Sequence, residues 1–148
     1  KGSIVKSNSY LEDVIINENS HIGPNARLRP KTKIGRKSKI GNFVEIKNSK
    51  IGNNVSIAHL SYVGDAEVGN NVNIGAGTIT CNYDGNKKHK TIIKDNVFIG
   101  SNSSLIAPVV IESKSRIGAG SVITKNIPKN SLAIERSGLK ILRNKRPK

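Results

Sequence analysis

The sequence contains few of the residues that fill large hydrophobic cores. Among its 148 residues there is no Trp and no Met, and aromatic residues make up 3% of the chain. Aromatic side chains usually supply much of the buried area of a core. A core made without them has to be narrow and built from aliphatic side chains. We therefore expect one domain with a thin aliphatic core.

Cysteine is nearly absent, and Cys81 is the only one. A single cysteine excludes an internal disulfide framework and fits a reducing compartment. No apolar run is long enough to span a membrane, and no signal peptide opens the chain. We expect a cytoplasmic protein that does not attach to a membrane. Because the chain begins with Lys1 and Ile4 already fits the repeat described below, we also expect that sequence precedes it in a parent protein.

Acidic residues are scarce, with 10 Asp and Glu against 25 Lys and Arg, for a net charge of +15. Such an excess of positive charge raises the question of nucleic-acid binding. The basic residues are scattered, however, and are not interleaved with aromatic residues on which bases could stack. We expect no nucleic-acid partner. The basic surface is either simply solvated or contains pockets for small phosphorylated ligands.

A six-residue repeat of large apolar residues runs through nearly the whole chain. Two of its steps shorten to five, and the repeat positions are Ile4, Tyr10, Ile16, Ile22, Leu28, Ile34, Ile40, Ile46, Ile51, Ile57, Val63, Val68, Ile74, Thr80, Ile93, Ile99, Leu105, Ile111, Ile117 and Ile123. Gly often follows these positions, and a small or β-branched residue such as Val55 or Ser103 often lies four places on. A period of six matches neither a helix nor simple strand alternation.

This period predicts an all-β fold, a parallel β-helix built from hexapeptide repeats. Short strands joined by tight turns would point positions i and i+4 inward, and three sides would close a triangular coil. Gly, Asn-Asn and Asp-Asn pairs at the corners tolerate the left-handed backbone that such turns need. The alternative is a β-sandwich, whose strands do not keep a fixed period over so many steps. The handedness of the coil does not follow from the pattern.

The repeat is broken once and then ends. One step lengthens to thirteen residues, which indicates an inserted loop over residues 81–92. Long excursions from a regular solenoid are usually functional. Pro128 and the polar segment after it end the repeat. We therefore expect a hexapeptide-repeat domain at residues 1–127 and a basic C-terminal arm or tail at residues 128–148.

Stacked coils bring distant residues onto one side of the predicted prism. Arg29 and Lys47 are 18 residues apart and occupy the same repeat position, so they should lie on adjacent rungs about 4.8 Å apart. Glu45 and Tyr62 share another position one coil apart. Two like charges on neighbouring rungs repel unless an anion bridges them. The pattern therefore indicates an anion site, although Lys47 could simply pair with acids on a wet surface.

His59 should lie at the same edge, close to the inserted loop. Glu45 lies one coil below it, so Glu45 could orient the imidazole and His59 could act as a general base. His21 and His89 are interpreted as structural or solvent-exposed. A three-His zinc site needs ligands that converge on one point, and His21 is two coils from His59, so no metal is expected.

Two further features lie near the loop and beyond it. Ser101 and Ala119 are 18 residues apart and should stack at one corner. Small corner residues would leave a groove in which an extended ligand could lie. Cys81 should lie near His59, and we interpret it as a small apolar residue at the base of the loop and not as a nucleophile.

Four segments together resemble a family of bacterial enzymes: RLRP (27–30), GNFVEIK (41–47), AHLSYVGDAEVG (58–69) and NVNIGAGTITCNYDG (71–85). The family is the C-terminal acetyltransferase domain of the bifunctional N-acetylglucosamine-1-phosphate uridyltransferase and glucosamine-1-phosphate N-acetyltransferase. The resemblance runs from about Ile22 to Arg136. The Gly-rich nucleotide-binding loop of the uridyltransferase half does not occur in this chain.

The resemblance implies a left-handed β-helix that forms a homotrimer with active sites between subunits. It implies acetyl transfer from acetyl-CoA to the amine of glucosamine 1-phosphate. This reaction is a step of UDP-N-acetylglucosamine biosynthesis, which supplies peptidoglycan and lipopolysaccharide precursors. It implies no metal for this half of the enzyme, whereas the absent uridyltransferase half would use magnesium.

The resemblance also implies roles for individual residues, with His59 as the general base. It places the amino-sugar phosphate against Arg29, Lys47, Tyr62, Asn73 and Lys88. It places acetyl-CoA against Ala76, Asn82, Tyr83, Ser101, Ala119 and Arg136. An acetyltransferase with another amino-sugar acceptor is one alternative. A non-catalytic trimerisation module is another, but it would have no reason to gather so many reactive side chains on one side.

Overall fold

The computed structural model describes residues 1–141. The end of the predicted tail, with its basic residues Arg143, Lys145, Arg146 and Lys148, lies outside the described residues. The described part contains strands of two to four residues and no helix. No helix in this part is therefore long and apolar enough to cross a membrane.

Numbered in chain order, the first seven strands are β1 (Ile4–Val5), β2 (Tyr10–Leu11), β3 (Val14–Ile16), β4 (His21–Ile22), β5 (Arg27–Leu28), β6 (Thr32–Ile34) and β7 (Lys39–Asn42). The next seven are β8 (Glu45–Lys47), β9 (Lys50–Ile51), β10 (Ser56–His59), β11 (Tyr62–Gly64), β12 (Ala66–Val68), β13 (Asn73–Ile74) and β14 (Ile79–Cys81). The last seven are β15 (Thr91–Ile93), β16 (Phe98–Ile99), β17 (Ser104–Ile106), β18 (Val109–Ile111), β19 (Arg116–Ile117), β20 (Val122–Ile123) and β21 (Leu132–Ala133).

As far as β20, every third strand belongs to the same parallel sheet, and the three sheets form the faces of a prism. The last strand, β21, joins the first sheet directly after β19. The first face has the order β1-β4-β7-β10-β13-β16-β19-β21. The second face has the order β2-β5-β8-β11-β14-β17-β20, and the third face runs from β3 to β18. The chain thus forms a left-handed parallel β-helix of about seven turns. The predicted fold class is confirmed, and the handedness agrees with what the family resemblance implied.

The core is a set of aliphatic ladders in which each inward residue stacks on the one below. On the first face, Ile40 pairs with Ile57 and Ile57 pairs with Ile74, and all three are at most 2% exposed. The repeat positions from Ile22 onward are buried, as predicted. The backbone groups of one coil bond to those of the next. Outside the inserted loop, the length of one coil is therefore held at 17 or 18 residues.

The corner residues and the glycines beside them have two different structural roles. At one corner Asn54 and Asn71 have φ angles of 55° and 54°, and the Asn54 amide donates to Asn71 Oδ1 at 3.2 Å. The glycine after the repeat residue serves a different purpose. A Cβ on Gly35 would lie 2.2 Å from the carbonyl oxygen of Gly52 in the next coil. Gly35 is therefore needed for close approach of coils and not for a left-handed φ.

The first coil departs from the predicted register. Val5 stacks on Ile22, and Leu11 stacks on Leu28, so the predicted inward positions Ile4 and Tyr10 are wrong. Tyr10 is 56% exposed, while Ile4 and Val5 are 50% and 52% exposed because no coil lies below them. For Ile4 and Val5 the assignment therefore rests on strand pairing and not on burial. In this coil two adjacent apolar residues occur at each position, and the six-residue period alone does not say which of them faces inward.

The C-terminal part of the described chain continues the stack for a short distance. Ile127 forms a parallel bridge with Ile111, and β21 pairs with β19. The division at residues 127 and 128 stays a prediction, since a strand of the first face lies beyond it. Arg136, in the predicted arm, lies near the last coil, where a Cβ on Gly120 would be 3.9 Å from Arg136 Cδ.

The ladder predicts how the fold responds to loss of core volume. We expect Ile57→Ala, at a position that is 0% exposed, to lower stability by about 2–5 kcal/mol because it leaves a cavity between two coils. Ile15→Ala is the matched control, since Ile15 is 53% exposed on the third face. The measurement is the midpoint of guanidinium unfolding. Equal shifts for the two variants would contradict the ladder.

Candidate active site

Two edges of the prism carry the predicted site residues. We call the corner between the first and second faces, with Phe43 and Leu60 at its tips, the first edge. We call the corner between the second and third faces, with Asn48 and Asp65 at its tips, the second edge. The second face between them carries outward-facing Tyr62, which pairs with Glu45 below it.

The second edge carries a cluster of cations. Arg29 and Lys47 lie on adjacent rungs, since Arg27 and Leu28 pair with Glu45 and Ile46, and this prediction is confirmed. Four cationic side chains and one carboxylate line a pocket of about 360 Å³, whose lining residues are Arg29, Pro30, Lys31, Lys47, Asn48, Asp65 and Lys88. The pocket is therefore positively charged and suited to an anion.

Lys88 reaches this pocket from the inserted loop. Its contact with the Lys47 amine, together with the repulsion between the two positive charges, lowers the pKa of Lys88. The carboxylate of Asp65 and the side chain of Tyr62 act in the opposite direction. Two ammonium groups held this close are stabilised when an anion lies between them. The geometry fits the anion site that the sequence predicted.

Glu45 does not have the neighbour predicted for it. Its carboxylate accepts a hydrogen bond from Arg29 Nη1 at 3.0 Å and lies 3.7 Å from Arg27 Nη1. Within the described residues no hydrogen bond joins Glu45 to His59. The possible orienting role of Glu45 toward His59 therefore stays a prediction, and in this structure the carboxylate is bonded to Arg29 instead.

His59 lies at the first edge and not at the edge of the cations. It ends β10 and pairs with Asn42, and its backbone carbonyl accepts a hydrogen bond from Ser61 Oγ at 2.9 Å. Its side chain is exposed, and among the described residues no hydrogen bond engages its ring. The predicted place of His59, at the corner that leads into the second face with Asn42 below it, is confirmed. The cations lie at the opposite edge of that face, so the groups do not share a single edge within one chain.

The small residues predicted to line a groove continue along the first edge above His59. Gly77 N donates to the His59 carbonyl at 3.4 Å, Asn102 N donates to the Ala76 carbonyl at 2.7 Å, and Gly120 N donates to the Ser101 carbonyl at 2.8 Å. Ser101 and Ala119 therefore stack as predicted, one coil apart. The first edge thus presents His59, then Ala76, and then this pair, with Arg136 beyond them.

Asn73 and Tyr83 are not among the residues that line the charged pocket. Asn73 belongs to β13 of the first face, where it pairs with Ser56 and Phe98. Tyr83 is 61% exposed on the loop, and its hydroxyl donates to the Gly85 carbonyl at 2.6 Å. Their predicted contacts with ligands stay predictions. Tyr83 forms an antiparallel backbone bridge with Lys88 in the loop, whereas Asn73 pairs with no other predicted site residue.

Asn82 has a structural role that the sequence did not indicate. It is 7% exposed, and its amide donates to Asp65 Oδ2 and to the Tyr62 hydroxyl. Asn48 donates to the other oxygen of the same carboxylate. Asp65 therefore ties the base of the loop to the coil below. The sequence analysis did not single out Asp65. It could have done so, because Asp65 occupies the second-edge corner between Lys47 and the inserted loop.

Cys81 is poorly suited to nucleophilic chemistry here. Burial raises the pKa of its thiol, and a hydrogen bond with Ser104 opposes this only in part. Since the thiolate is the reactive form, a raised pKa leaves little of it at neutral pH. Among residues 1–141, no group of three His, Cys, Asp or Glu side chains could hold a metal ion.

The fold and the repeat define a hexapeptide-repeat β-helix protein. The family model described as GMPPB C-terminal domain matches residues 10–83, and the model described as bacterial transferase hexapeptide matches residues 90–125. The chain belongs to the GMPPB C-terminal domain family, and its predicted kinship with the bifunctional uridyltransferase–acetyltransferase proteins is confirmed.

Relatives named "Bifunctional protein GlmU" cover nearly the whole chain. The protein of Acinetobacter baylyi is 58% identical over 136 residues, which is 92% of this chain and 30% of that protein. The protein of Thermodesulfovibrio yellowstonii is 60% identical over 143 residues, or 93% of this chain and 32% of that protein. The chain thus spans about a third of the length of these relatives.

Solved structures share the fold at low sequence identity. AntD, an N-acyltransferase from Bacillus cereus solved with a dTDP-amino sugar and coenzyme A, matches with a TM-score of 0.67 at 23% identity, over 94% of this chain and 85% of that chain. The UDP-N-acetylglucosamine acyltransferase of Francisella novicida matches with a TM-score of 0.67 at 15% identity, over 87% and 62% of the two chains. These likenesses support the architecture alone.

Proposed function

We propose that this chain is a glucosamine-1-phosphate N-acetyltransferase that uses acetyl-CoA. The proposal rests on two groups at opposite edges of the second face. One is the pocket lined by four cations. The other is the exposed His59 imidazole, whose ring makes no hydrogen bond within residues 1–141. A phosphate and a nearby amine on one small molecule match these two groups. The identity of 58% to a GlmU protein over 92% of the chain supports the same reaction.

The amino sugar lies across the second face in this proposal. Its phosphate occupies the second edge between Arg29, Lys47 and Lys88, and its amine points toward His59 at the first edge. Tyr62 lies between the two groups and contacts the sugar. Glu45 has a different role from the one predicted, because its 3.0 Å bond to Arg29 holds the guanidinium toward the pocket. A preset guanidinium binds phosphate with less loss of side-chain freedom.

The chemistry is direct transfer. His59 removes a proton from the bound ammonium group, since only the neutral amine has a free electron pair. The amine nitrogen then forms a bond to the acetyl carbonyl carbon, and the carbon–sulfur bond of the thioester breaks. After the attack the nitrogen loses a second proton, which is released to solvent, and the leaving coenzyme A sulfur takes up the proton that His59 removed first. Holding both substrates side by side supplies much of the acceleration, and no covalent enzyme intermediate is needed, so Cys81 is a bystander.

Acetyl-CoA extends along the first edge in this proposal. The small residues Ala76, Ser101 and Ala119 leave room for an extended chain above His59, and Arg136 supplies a positive charge at the far end. AntD, which shares the fold, was solved with coenzyme A, and we assign the same class of co-substrate here. Asn82 contributes indirectly, because its buried amide holds Asp65 and Tyr62 in place.

We propose a homotrimer in which neighbouring chains complete each site. Asn73 lies on the first face and does not line the charged pocket of its own chain, so in this proposal a second copy brings it to the bound acceptor. Phe43 and Leu60, at the first edge, are 58% and 63% exposed with φ angles of 55° and 51°. Bulky apolar residues in this conformation are unfavourable, and we expect a partner chain to cover them.

Acetyl transfer in the cytoplasm, a reducing compartment, is consistent with a chain that contains a single thiol.

The acceptor determines whether the proposed reaction is the right one. We expect the chain with acetyl-CoA to release coenzyme A thiol rapidly with glucosamine 1-phosphate and far more slowly with glucosamine or galactosamine. The phosphate contacts should contribute on the order of 2 kcal/mol. Thiol release is followed with a colorimetric reagent. Rapid thiol release with a different amino sugar would favour the alternative acceptor. No thiol release with any of the amino sugars would favour a non-catalytic module.

The roles of His59 and Cys81 separate by substitution. We expect His59→Ala to lower turnover by roughly 10²–10⁴-fold with little change in acetyl-CoA affinity, because proton transfer affects the transition state. Cys81→Ala is the control and should keep most of the activity. An active His59→Ala with an inactive, folded Cys81→Ala would make the thiol the nucleophile.

The assembly is tested in solution. We expect light scattering to give the mass of three chains, because each site needs residues from more than one copy. Leu60→Asp should weaken the assembly and the activity together by placing a charge in the interface. Ile15→Asp, on the exposed third face, is the control. An active monomer would contradict the proposal.

A further inference from the structure

The inserted loop is a folded hairpin. It leaves the second face after Cys81 and returns at Thr91 on the third face. Tyr83 and Lys88 form an antiparallel bridge within it. The Asp84 N–H donates to the Lys87 carbonyl at 3.2 Å, and the His89 N–H donates to the Asn82 carbonyl at 2.8 Å. The loop therefore has a defined shape without burying an apolar core.

One side chain holds the tip of this hairpin together. The Oδ1 atom of Asp84 accepts hydrogen bonds from the backbone N–H groups of Asn86 and Lys87, both at 2.8 Å. Its Oδ2 atom lies 2.6 Å from His89 Nε2. These contacts, led by the Lys87 bond and followed by the His89 bond, hold the pKa of Asp84 well below its usual range. The carboxylate is therefore ionised at any working pH.

Lys88 lies in sequence between Lys87 and His89, which both hydrogen-bond to Asp84. Its amine is held against Lys47 in the anion pocket, although two positive charges repel each other. That repulsion favours an open loop before an anion arrives, so something has to oppose it. The bonds from Asp84 to Lys87 and His89 lie on either side of Lys88, and the Lys90–Glu67 ion pair at 2.8 Å anchors the loop's end.

We propose that Asp84 is a positioning residue which, with His89, folds the loop so that Lys88 stands in the phosphate pocket before the acceptor binds. This inference rests on the proposed function for the identity of the acceptor. Asp84 does not line the pocket itself, so it acts through Lys88. A preformed contact avoids the cost of ordering a long side chain and its loop when the ligand binds.

The kinetic test compares two acceptors and two residues. We expect Asp84→Ala to raise the KM for glucosamine 1-phosphate by about tenfold, the effect of losing charge-assisted hydrogen bonds, with little change in kcat or in the KM for acetyl-CoA. The same variant should act on glucosamine almost normally. The double variant Asp84→Ala with Lys88→Ala should be no worse than Lys88→Ala alone, because both changes remove one contact.

Two further variants make the result specific. Asp84→Asn keeps an oxygen for the two backbone donors and loses the charge opposite His89, so its KM should fall between those of the wild type and Asp84→Ala. Asn86→Ala keeps the backbone N–H that Asp84 binds and should behave as the wild type. The proposal would be overturned if the KM increases of Asp84→Ala and Lys88→Ala multiplied in the double variant. It would also be overturned if Asp84→Ala lost equal activity with glucosamine 1-phosphate and with glucosamine.

A readout independent of activity separates this inference from the proposed function. In hydrogen-exchange or NMR measurements on the full chain, the amides of Asn86 and Lys87 should exchange at least about tenfold faster in Asp84→Ala. Binding of inorganic phosphate should weaken in the same variant. If the wild type fails to acetylate glucosamine 1-phosphate while these two effects appear, the function fails and the positioning role stands. Unchanged exchange and phosphate binding would remove the positioning role.

Discussion

The stacking of each coil on the one below is the constraint on which the rest of the structure depends. Parallel strands bond at a spacing of about 4.8 Å, so each side chain meets its counterpart one coil away. An extra residue inside a coil would turn buried side chains outward. The coil length is therefore held at 17 or 18 residues, and the insertion between Cys81 and Thr91 is accommodated at an edge, where it lengthens the offset to 25.

The same constraint made much of the fold predictable from sequence. A fixed coil length converts sequence spacing into spatial contact, which is why the adjacency of Arg29 and Lys47 could be inferred. The first coil was misplaced because Ile4 and Val5 are both apolar and spacing cannot choose between them. The partner of Glu45 was also misplaced. Register places residues on a rung, but it does not say which neighbour a long side chain such as Glu45 will bond, and here that neighbour is Arg29.

The division of the site between two edges follows from the triangular section. A charged pocket and an exposed imidazole lie at the two edges of one face, and the proposed acceptor has to span that face to meet both. The inserted loop brings Lys88 to the charged pocket. The shape of the loop depends on hydrogen bonds to Asp84 that no repeat pattern encodes. That is why the hairpin was not foreseen, whereas the coil was.

The central claim is that the cations of the second edge bind the acceptor's phosphate while His59 acts on its amine. The most direct measurement is kcat/KM for glucosamine 1-phosphate and for glucosamine in the wild type and in Arg29→Ala. The account predicts that removing Arg29 lowers the first value by about tenfold or more and leaves the second nearly unchanged, because the guanidinium contacts only the phosphate. Equal losses with the two acceptors would contradict the account.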